Sequence, residues 1–314
     1  MAFCRWLGSY GSPQVNLMFH FQLLSTIVKN LRTAKVVVWC TPSVVERVRK
    51  LVPWRVQTTA PDIRSAEWLL VVGGGKLIDQ AKLLRAEHPD LKLAALPTIW
   101  GSGAEVSPIA VWVESNRKVF RLDYSLRPDI VVVAPELSKS LSLEQIRWGC
   151  GDAWAHALEG FLSPLASKET RRNLAGIILG MLDVGLVNDP RWFELSAMAC
   201  AGQATSSVGL VHGMAHTLEG KLGFGHARLC ATLLWPVMLF NQSRSPKWPL
   251  LSQHGLTDGA IFAALAGFFN AEDYEKIREA LPGDWKNVLR DPCTRTNSAL
   301  LRPADLEFFV EFQP

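Results

Sequence analysis

The chain has 314 residues, which is enough for one large domain or two ordinary domains, each with its own hydrophobic core. Hydrophobic residues make up 48% and charged residues 20%, a composition typical of globular proteins that excludes wholesale disorder. The net charge of +4 is small for this length and no long Lys/Arg block occurs, so we expect no nucleic-acid partner and no membrane partner.

The cysteines and the N-terminus bear on the compartment. Six cysteines are scattered without a C-x-x-C spacing, which favours free thiols in a reducing compartment over a disulfide framework. The N-terminus lacks the charged start and apolar run of a signal peptide. The most apolar later run, residues 229–240, is too short to span a bilayer and is interpreted as a buried helix. We therefore expect a soluble, cytoplasmic protein.

The first half of the chain alternates helical spacing with short, continuous apolar runs. Helical spacing covers residues 19–31, 44–51 and 77–87. Buried strands are predicted at residues 35–40, 69–72, 93–96 and 130–133. Continuous apolar strands separated by helices indicate an α/β fold, with a parallel sheet that is covered on both faces.

Two glycine-rich turns follow successive predicted strands. The first contains Gly73, Gly74, Gly75 and Lys76, and the second covers residues 97–107. Glycines let the main chain approach a pyrophosphate, and the start of the following helix attracts its charge. A tight turn with positive φ explains three glycines alone about as well. However, the carboxyl ends of parallel strands share one edge, so two such turns favour a nucleotide site there.

The stretch from Asp152 to His226 contains four of the seven histidines. Asp152 and His156 are four residues apart, so on a helix both side chains leave the same face. His212 and His216 repeat this spacing, and His226 follows a turn rich in glycine. One D-x-x-x-H pair alone is more commonly a surface or capped pair. Two pairs and a third histidine favour a Zn²⁺ or Fe²⁺ site, because buried imidazoles need partners.

Helical spacing resumes in the C-terminal part of the chain, at residues 257–269 and 272–281. A turn-rich stretch at residues 291–297 then precedes a last helix from about Pro303 to Glu311. We expect Arg295 and Asn297, in that stretch, to be exposed to solvent.

These motifs, in this order, resemble the iron-dependent (group III) alcohol dehydrogenase family, which is related to glycerol dehydrogenase and, more distantly, to dehydroquinate synthase. The resemblance covers roughly half of the chain, at residues 73–82, 97–107, 127–137, 152–159 and 209–226. It implies a Rossmann-like nucleotide-binding domain over residues 1–138 and an all-helical metal- and substrate-binding domain over residues 139–314. In such a protein the metal lies in the cleft between the two domains.

The resemblance also implies roles for individual residues. It makes Asp152, His156, His212 and His226 the metal ligands, and His216 a residue that relays a proton or positions the substrate. It assigns the cofactor pyrophosphate to Gly73, Gly74, Gly75 and Lys76. The other positions that it assigns to the cofactor are Thr41, Asp79, Thr98, Ser102, Ser107, Val111 and Lys118. Asp79 is equally explained as a carboxylate that suits the helix dipole, and Lys118 as a solvated lysine.

The chain departs from the family pattern at several positions. Lys76 stands where many members have Ser, and Ile99 and Trp100 should narrow the nicotinamide pocket. Thr41 stands where members that prefer NAD have Asp, so NADPH should be tolerated or preferred. The chain is also shorter than typical members, with trimming around residues 41–66 and after Asn241.

The function implied by the resemblance is that of a metal-dependent oxidoreductase. It would use NADPH or NADH and Fe²⁺ or Zn²⁺ to reduce a small aldehyde to a primary alcohol, or run the reverse reaction. Lys76 and Arg295 are compatible with an anionic, phosphonoacetaldehyde-like aldehyde. A homodimer is left open. Two alternatives stay open: a dehydroquinate synthase-like lyase that also uses metal and NAD, and a trimmed, non-catalytic homologue.

Overall fold

A computed structural model describes residues 21–114 and 117–313, apart from the side chains of Val113, Arg117 and Lys118. The contacts divide the chain into two compact units, with the boundary between Leu141 and Ser142. We refer to residues 21–141 as the sheet unit and to residues 142–313 as the helical unit. The domain limits at residues 138 and 139 stay a prediction.

The described residues of the sheet unit form eight strands in two sheets. The strands are β1 (Phe21–Leu23), β2 (Val36–Cys40), β3 (Val56–Gln57), β4 (Trp68–Gly73), β5 (Lys92–Pro97), β6 (Ile109–Glu114), β7 (Arg117–Leu122) and β8 (Ile130–Val133). Six of them form a parallel sheet in the order β1-β8-β5-β4-β2-β3. β6 and β7 pair as a separate antiparallel hairpin. The predicted α/β fold with a parallel sheet is therefore confirmed.

The central strands are apolar along their whole length because both faces of the sheet are covered. Leu70 and Val72 of β4 point into one hydrophobic core, whereas Leu69 and Val71 point into another. All four side chains are fully buried. This alternation follows from the two-residue period of a strand, with an apolar layer on each face.

Four helices belong to the sheet unit: α1 (Leu24–Asn30), α2 (Val45–Leu51), α3 (Gly75–Ala86) and α4 (Pro135–Ser138). Residues 19 and 20 of the helix predicted over residues 19–31 lie outside the described part, and the prediction is wrong at Phe21–Leu23, which forms β1 and pairs with β8. Pairing with a distant strand overrides the local helical spacing there. The β6–β7 hairpin was also not predicted.

The described residues of the helical unit form helices and no strands. They are α5 (Leu143–Leu162), α6 (Lys168–Val184), α7 (Arg191–Gln203), α8 (Leu210–Leu222), α9 (His226–Arg244), α10 (Leu250–Gln253), α11 (Asp258–Ala266), α12 (Ala271–Arg290) and α13 (Leu306–Glu311). Helix α5 begins at a capping box formed by Ser142 and Gln145. It is buried from Gly149 to Leu162 and packs against α6, α7 and α9.

The apolar run at residues 229–240 lies inside α9, where most of its side chains are buried, and Pro236 lies within the helix. No helix in the described ranges is both long enough and apolar enough to cross a bilayer. Cys40, Cys230 and Cys293 carry thiols that form no disulfide within the described ranges.

Candidate functional site

A glycine lets helices α5 and α9 of the helical unit approach each other closely. A Cβ atom on Gly151 of α5 would lie 2.5 Å from the Cβ atom of Ala231 of α9, so only glycine permits this crossing. The next residue on α5 is Asp152, and the residue before Ala231 on α9 is Cys230. The close crossing therefore brings the side chains of Asp152 and Cys230 to one point.

The start of α8 is held by side chains from elsewhere in the unit. Its first backbone N–H groups have no partner within the helix. The N–H of Leu210 donates to Asn297 Oδ1 at 3.3 Å, and the N–H of Val211 donates to Glu159 Oε1 at 2.6 Å. The expectation that Asn297 is exposed is wrong, because it is buried and also bonded to Asn241. These bonds fix the position of the next residue, His212.

Four side chains from α5, α8 and α9 converge in the helical unit. Asp152, His212, His226 and Cys230 each contribute one atom able to bind a metal, and these atoms all lie within 4.8 Å of one another. His212 Nε2 is 3.8 Å from Asp152 Oδ1, and Cys230 Sγ is 3.6 Å from His226 Nε2. Of the predicted ligands, Asp152, His212 and His226 belong to this set.

The other predicted histidines lie beside the set. His156 is buried, and its ring centroid is 4.7 Å from that of His212, but it is not a member of the four-residue set. The ring of His216 stacks on that of His226 at 5.4 Å. His216 also forms a second, more exposed group with Asp291 and Cys293. Its Nδ1 is 3.6 Å from Asp291 Oδ2 and 3.9 Å from Cys293 Sγ.

Glu159 is hydrogen-bonded to His212 at Nδ1, the ring nitrogen opposite the one that faces Asp152. Its Oε2 lies 2.7 Å from His212 Nδ1, while Oε1 accepts the N–H of Val211. Burial raises the pKa of Glu159 to about 8, and the backbone N–H groups at the start of α8 act in the opposite direction. A carboxylate on the far nitrogen of a histidine orients the ring so that its other nitrogen can bind a metal.

Other carboxyl and thiol groups are shifted by the same surroundings. Burial raises the pKa of Cys230 well above its usual range, and the charges of Asp152 and Glu159 add to this. For Asp291, burial acts to raise the pKa, but the hydrogen bonds with His216 and Cys293 outweigh it and lower the pKa.

The residues of the cluster fit a divalent metal ion. Asp152 is 1% exposed, and its Oδ1 accepts no hydrogen bond from any described residue. A buried carboxylate oxygen without a hydrogen bond is costly unless a cation neutralises it. Carboxylate, imidazole and thiolate are the donors by which proteins bind Zn²⁺ and Fe²⁺.

The sequence analysis missed Cys230 of this cluster and Glu159 beside it, although the sequence contains a signal for each. Cys230 follows His226 by four residues, which is the same spacing that singled out Asp152 with His156. Glu159 follows Asp152 by seven residues, two helical turns along the same face.

The first glycine turn of the sheet unit needs glycine for close packing against neighbouring residues rather than for a positive φ. Gly74 precedes α3 with a φ of −80°, and the only glycines with positive φ in the described part of the sheet unit are Gly101 and Gly103 of the second turn. A Cβ atom on Gly75 would lie 2.5 Å from Ser102 Oγ, so the two turns touch. Lys76 is exposed in the first turn of α3.

Three adjacent strands bring predicted cofactor residues to one edge of the sheet. Thr41 follows β2, the glycine triplet ends β4 and starts α3, and Thr98 follows β5. Because β5, β4 and β2 are neighbours and parallel, all three groups lie at their carboxyl ends. Backbone bonds join them, from the N–H of Thr41 to the carbonyl of Val72 and from the N–H of Thr98 to that of Gly73.

The remaining predicted cofactor residues lie around α3 and the hairpin. Asp79 accepts hydrogen bonds from Lys82 Nζ at 2.9 Å and from the N–H of Val111 at 3.1 Å, so it links α3 to β6. Burial raises the pKa of Asp79, and Lys82 acts against this shift. Ser107 Oγ accepts the N–H of Ile109. The side chain of Lys118 lies outside the described part.

The protein combines a parallel sheet that has a glycine-rich edge with a helical unit that has a cluster of potential metal ligands. These two features characterise the class of protein to which the chain is similar. Residues 22–135 match the family model for iron-containing alcohol dehydrogenase. Maleylacetate reductase 1 of Rhodococcus opacus is 33% identical over 190 residues, which are 58% of this chain and 53% of that protein. The chain spans about half or less of the length of the curated relatives it matches.

Solved structures share the fold over nearly the whole chain. The iron-containing alcohol dehydrogenase of Corynebacterium glutamicum matches with a TM-score of 0.70 and 19% identity, covering 93% of both chains. Sulfoacetaldehyde reductase of Bifidobacterium kashiwanohense, solved with NAD⁺, matches with a TM-score of 0.70 and 15% identity, covering 94% of this chain and 97% of that one. The resemblance inferred from the motifs is confirmed by the family model and by the curated proteins that the chain matches.

Proposed function

We propose that this chain is a metal-dependent NAD(P)H oxidoreductase that reduces a small aldehyde to an alcohol, or runs the reverse reaction. The observation that carries the proposal is the cluster in the helical unit, where Asp152, His212 and His226 bring their ligand atoms within 4.8 Å of one another. A metal held by these three side chains and a fourth protein ligand can accept a substrate oxygen by expanding its coordination to five. The family match at residues 22–135 supports the same reaction class.

The metal would be held by Asp152, His212 and His226, with a fourth protein ligand beside them. The sequence assigned that fourth position to His156, which packs against the ring of His212. When bound, the metal supplies Lewis-acid polarisation of the carbonyl group, and the nicotinamide supplies the hydride. Glu159 keeps the ring of His212 in one orientation through its hydrogen bond to Nδ1.

His216 would move the proton that completes the reduction. Its side chain is 37% exposed, so it exchanges protons with water, and it lies against the ring of His226. Asp291 faces Nδ1 and its lowered pKa keeps the carboxyl group ionised, which favours a proton on that nitrogen. When the ring carries a proton on each nitrogen, Nε2 gives its proton to the nascent alcohol and later recovers one from solvent, while Nδ1 keeps its own proton beside Asp291.

The cofactor would bind along the carboxyl edge of β5, β4 and β2. The glycine turns offer backbone N–H groups at the start of α3, and exposed Lys76 adds a positive charge. Thr41 at the end of β2 carries no negative charge that would repel a ribose 2′-phosphate. We therefore propose NADPH as a cofactor at least as good as NADH.

The substrate class follows from the relatives. They include a maleylacetate reductase and a sulfoacetaldehyde reductase. Maleylacetate and sulfoacetaldehyde are both carbonyl compounds that carry an anionic group. The positive net charge of the chain and exposed Arg295 are compatible with such a substrate. We propose a small aldehyde with an anionic end group.

The test is an absorbance assay of NADPH and NADH oxidation with a panel of aldehydes that differ only in an end group: methyl, carboxylate, sulfonate or phosphonate. The protein is loaded with Fe²⁺ or with Zn²⁺ before each assay. We expect metal-dependent turnover, faster with NADPH and with the anionic aldehydes. Full turnover without metal contradicts the proposal, and strict dependence on NADH contradicts the assignment of Thr41. A Thr41→Asp variant should shift the preference towards NADH.

A further inference from the structure

We propose that a polar groove beside strand β3 binds the 2′-phosphate of NADPH, and that Arg49 is the residue that selects this cofactor over NADH. This inference deepens the proposed function and rests on it, since it concerns the cofactor of the same reaction. Thr41 merely leaves room for a 2′-phosphate, whereas Arg49 would attract it.

The groove lies at one side of the sheet unit, where β3 is the last strand of the six-stranded sheet and lies beside β2. A cavity of about 450 Å³ follows this strand. Its described lining includes two arginines, Arg49 and Arg55, and two threonines, Thr58 and Thr59, but no acidic residue. All four of these residues are exposed to solvent. Such a lining suits an anion whose oxygens can also accept hydrogen bonds from hydroxyl groups.

One end of the groove reaches the sheet edge at which Thr41 lies. Gln57 of β3 pairs in parallel with Trp39 of β2. Thr58 and Thr59 follow Gln57, just as Thr41 follows the end of β2, so both sets lie at the carboxyl ends of neighbouring strands. The glycine turns lie at the same edge. A cofactor bound there with its ribose beside Thr41 would therefore have its 2′ position close to Thr58 and Thr59.

The side chain of Arg49 points towards this end of the groove. Helix α2 comes after β2, so its first turn is nearest to the carboxyl edge, and side chains on a helix lean towards its N-terminus. Arg49 Nη1 lies 2.6 Å from Glu46 Oε1, which belongs to the first turn of α2. Burial raises the pKa of Cys40, the last residue of β2, to about 11, and the charge of Arg49 acts in the opposite direction. The guanidinium group is therefore near the end of β2.

The ion pair with Glu46 leaves Arg49 available to a phosphate. The side chains of Arg49 and Glu46 are 53% and 73% exposed, and ion pairs at such exposure contribute little to stability. A phosphate carries more negative charge than a carboxylate and can accept two parallel hydrogen bonds from a guanidinium group. A 2′-phosphate would therefore displace Glu46 from Arg49, while the charge of Glu46 would oppose its binding.

The test compares two nucleotides that bind the full chain, with calorimetry as the measurement. Adenosine 2′,5′-bisphosphate contains the adenosine end of NADPH, and adenosine 5′-monophosphate lacks the 2′-phosphate. We expect the bisphosphate to bind the unmodified protein at least about tenfold more tightly. Arg49→Ala should remove this advantage and leave the affinity for the monophosphate unchanged. Glu46→Gln should raise the affinity for the bisphosphate alone.

Lys50→Ala is the matched control. It removes the same charge from the next position of α2, which is exposed but does not line the groove, so the advantage of the bisphosphate should remain. Equal affinity for both nucleotides in the unmodified protein overturns the role of Arg49, and so does an advantage that survives Arg49→Ala. An equal loss in Lys50→Ala also overturns it, because net charge alone would then explain the effect.

The measurement needs neither metal nor aldehyde, so it separates this inference from the proposed function. Selective binding of the bisphosphate through Arg49, in a protein that shows no metal-dependent turnover, would support the groove and contradict the oxidoreductase. Turnover with metal and no selectivity for the bisphosphate would do the reverse. A protein that binds neither nucleotide would contradict both.

Discussion

The proposed cofactor site at the sheet edge and the proposed metal site in the helical unit are built in different ways. At the sheet edge, the backbone around Gly73–Gly75 would make the main contacts with the cofactor. The residues of this proposed site follow directly after strands β2, β4 and β5. In the helical unit, side chains would bind the metal. They come from three helices that only tertiary packing brings together. A backbone site depends on room near the main chain, whereas a metal site depends on the angles between helices.

The largest effect, a loss of metal binding, is expected when one imidazole ligand is removed. His212→Ala should abolish stoichiometric metal binding, because it removes a ligand and leaves buried Glu159 without the bond to the His212 ring. Metal content by mass spectrometry measures this. His88→Ala is the control, since His88 is an exposed histidine of the sheet unit. Equal metal content in both variants would remove His212 from the site.

The residue behind the ligand should matter less than the ligand itself. Glu159→Gln keeps the shape of the side chain but weakens the hydrogen bond that orients His212, so metal affinity should fall by roughly 10–100-fold. Competition with a chelator measures the dissociation constant. An unchanged constant would mean that Glu159 only holds the start of α8 through Val211.

At the sheet edge, the expected effect comes from lost room. Gly75→Ala places a Cβ atom 2.5 Å from Ser102 Oγ, so either the Ser102 side chain or one of the two turns must shift. NADPH affinity should fall about tenfold, or about 1.4 kcal/mol, as measured by fluorescence titration. Metal content should stay the same. Gly176→Ala is the matched control, because a Cβ atom there meets nothing within 4 Å and its affinity for NADPH should not change.

The last expected effect concerns stability rather than binding, and it is a change with pH in the second glycine turn. Burial raises the pKa of Glu105 to about 7 from an ordinary value of 4.5, with Lys82 acting against the shift. A carboxyl group with a raised pKa binds its proton more tightly in the folded state, so stability is full below pH 4.5 and falls as pH rises towards 7.

Glu105→Gln should remove this dependence and raise the free energy of unfolding by about 1–3 kcal/mol at pH 8, with little change at pH 4.5. Urea unfolding at the two pH values measures it. A variant that is less stable than the parent at pH 8 would show that the charged form of Glu105 stabilises the fold.

The sequence predicted the sheet edge more completely than the helical cluster. The four central strands and both glycine turns could be recognised because a run such as Leu69–Val72 and the glycines that follow it are local signals. β1 could not, because Phe21–Leu23 becomes a strand only by pairing with Ile130–Val133. A pairing partner more than a hundred residues away leaves no local pattern.

In the helical unit, spacing revealed Asp152, His212 and His226 but not how the helices cross. The Gly151–Ala231 approach selects Cys230 for the cluster, and it depends on contacts between α5 and α9. The i,i+4 relation of His226 and Cys230 was visible in the sequence. Only the crossing of α5 with α9 distinguishes it from many similar pairs on other helices.

The most direct test of the account is the position of the metal in crystals of the full chain soaked with Zn²⁺. We predict one anomalous-scattering peak within about 2.5 Å of the ligand atoms of Asp152, His212 and His226. A peak elsewhere, or no peak in protein that is otherwise well ordered at these residues, would contradict the metal centre on which the proposed oxidoreductase activity depends.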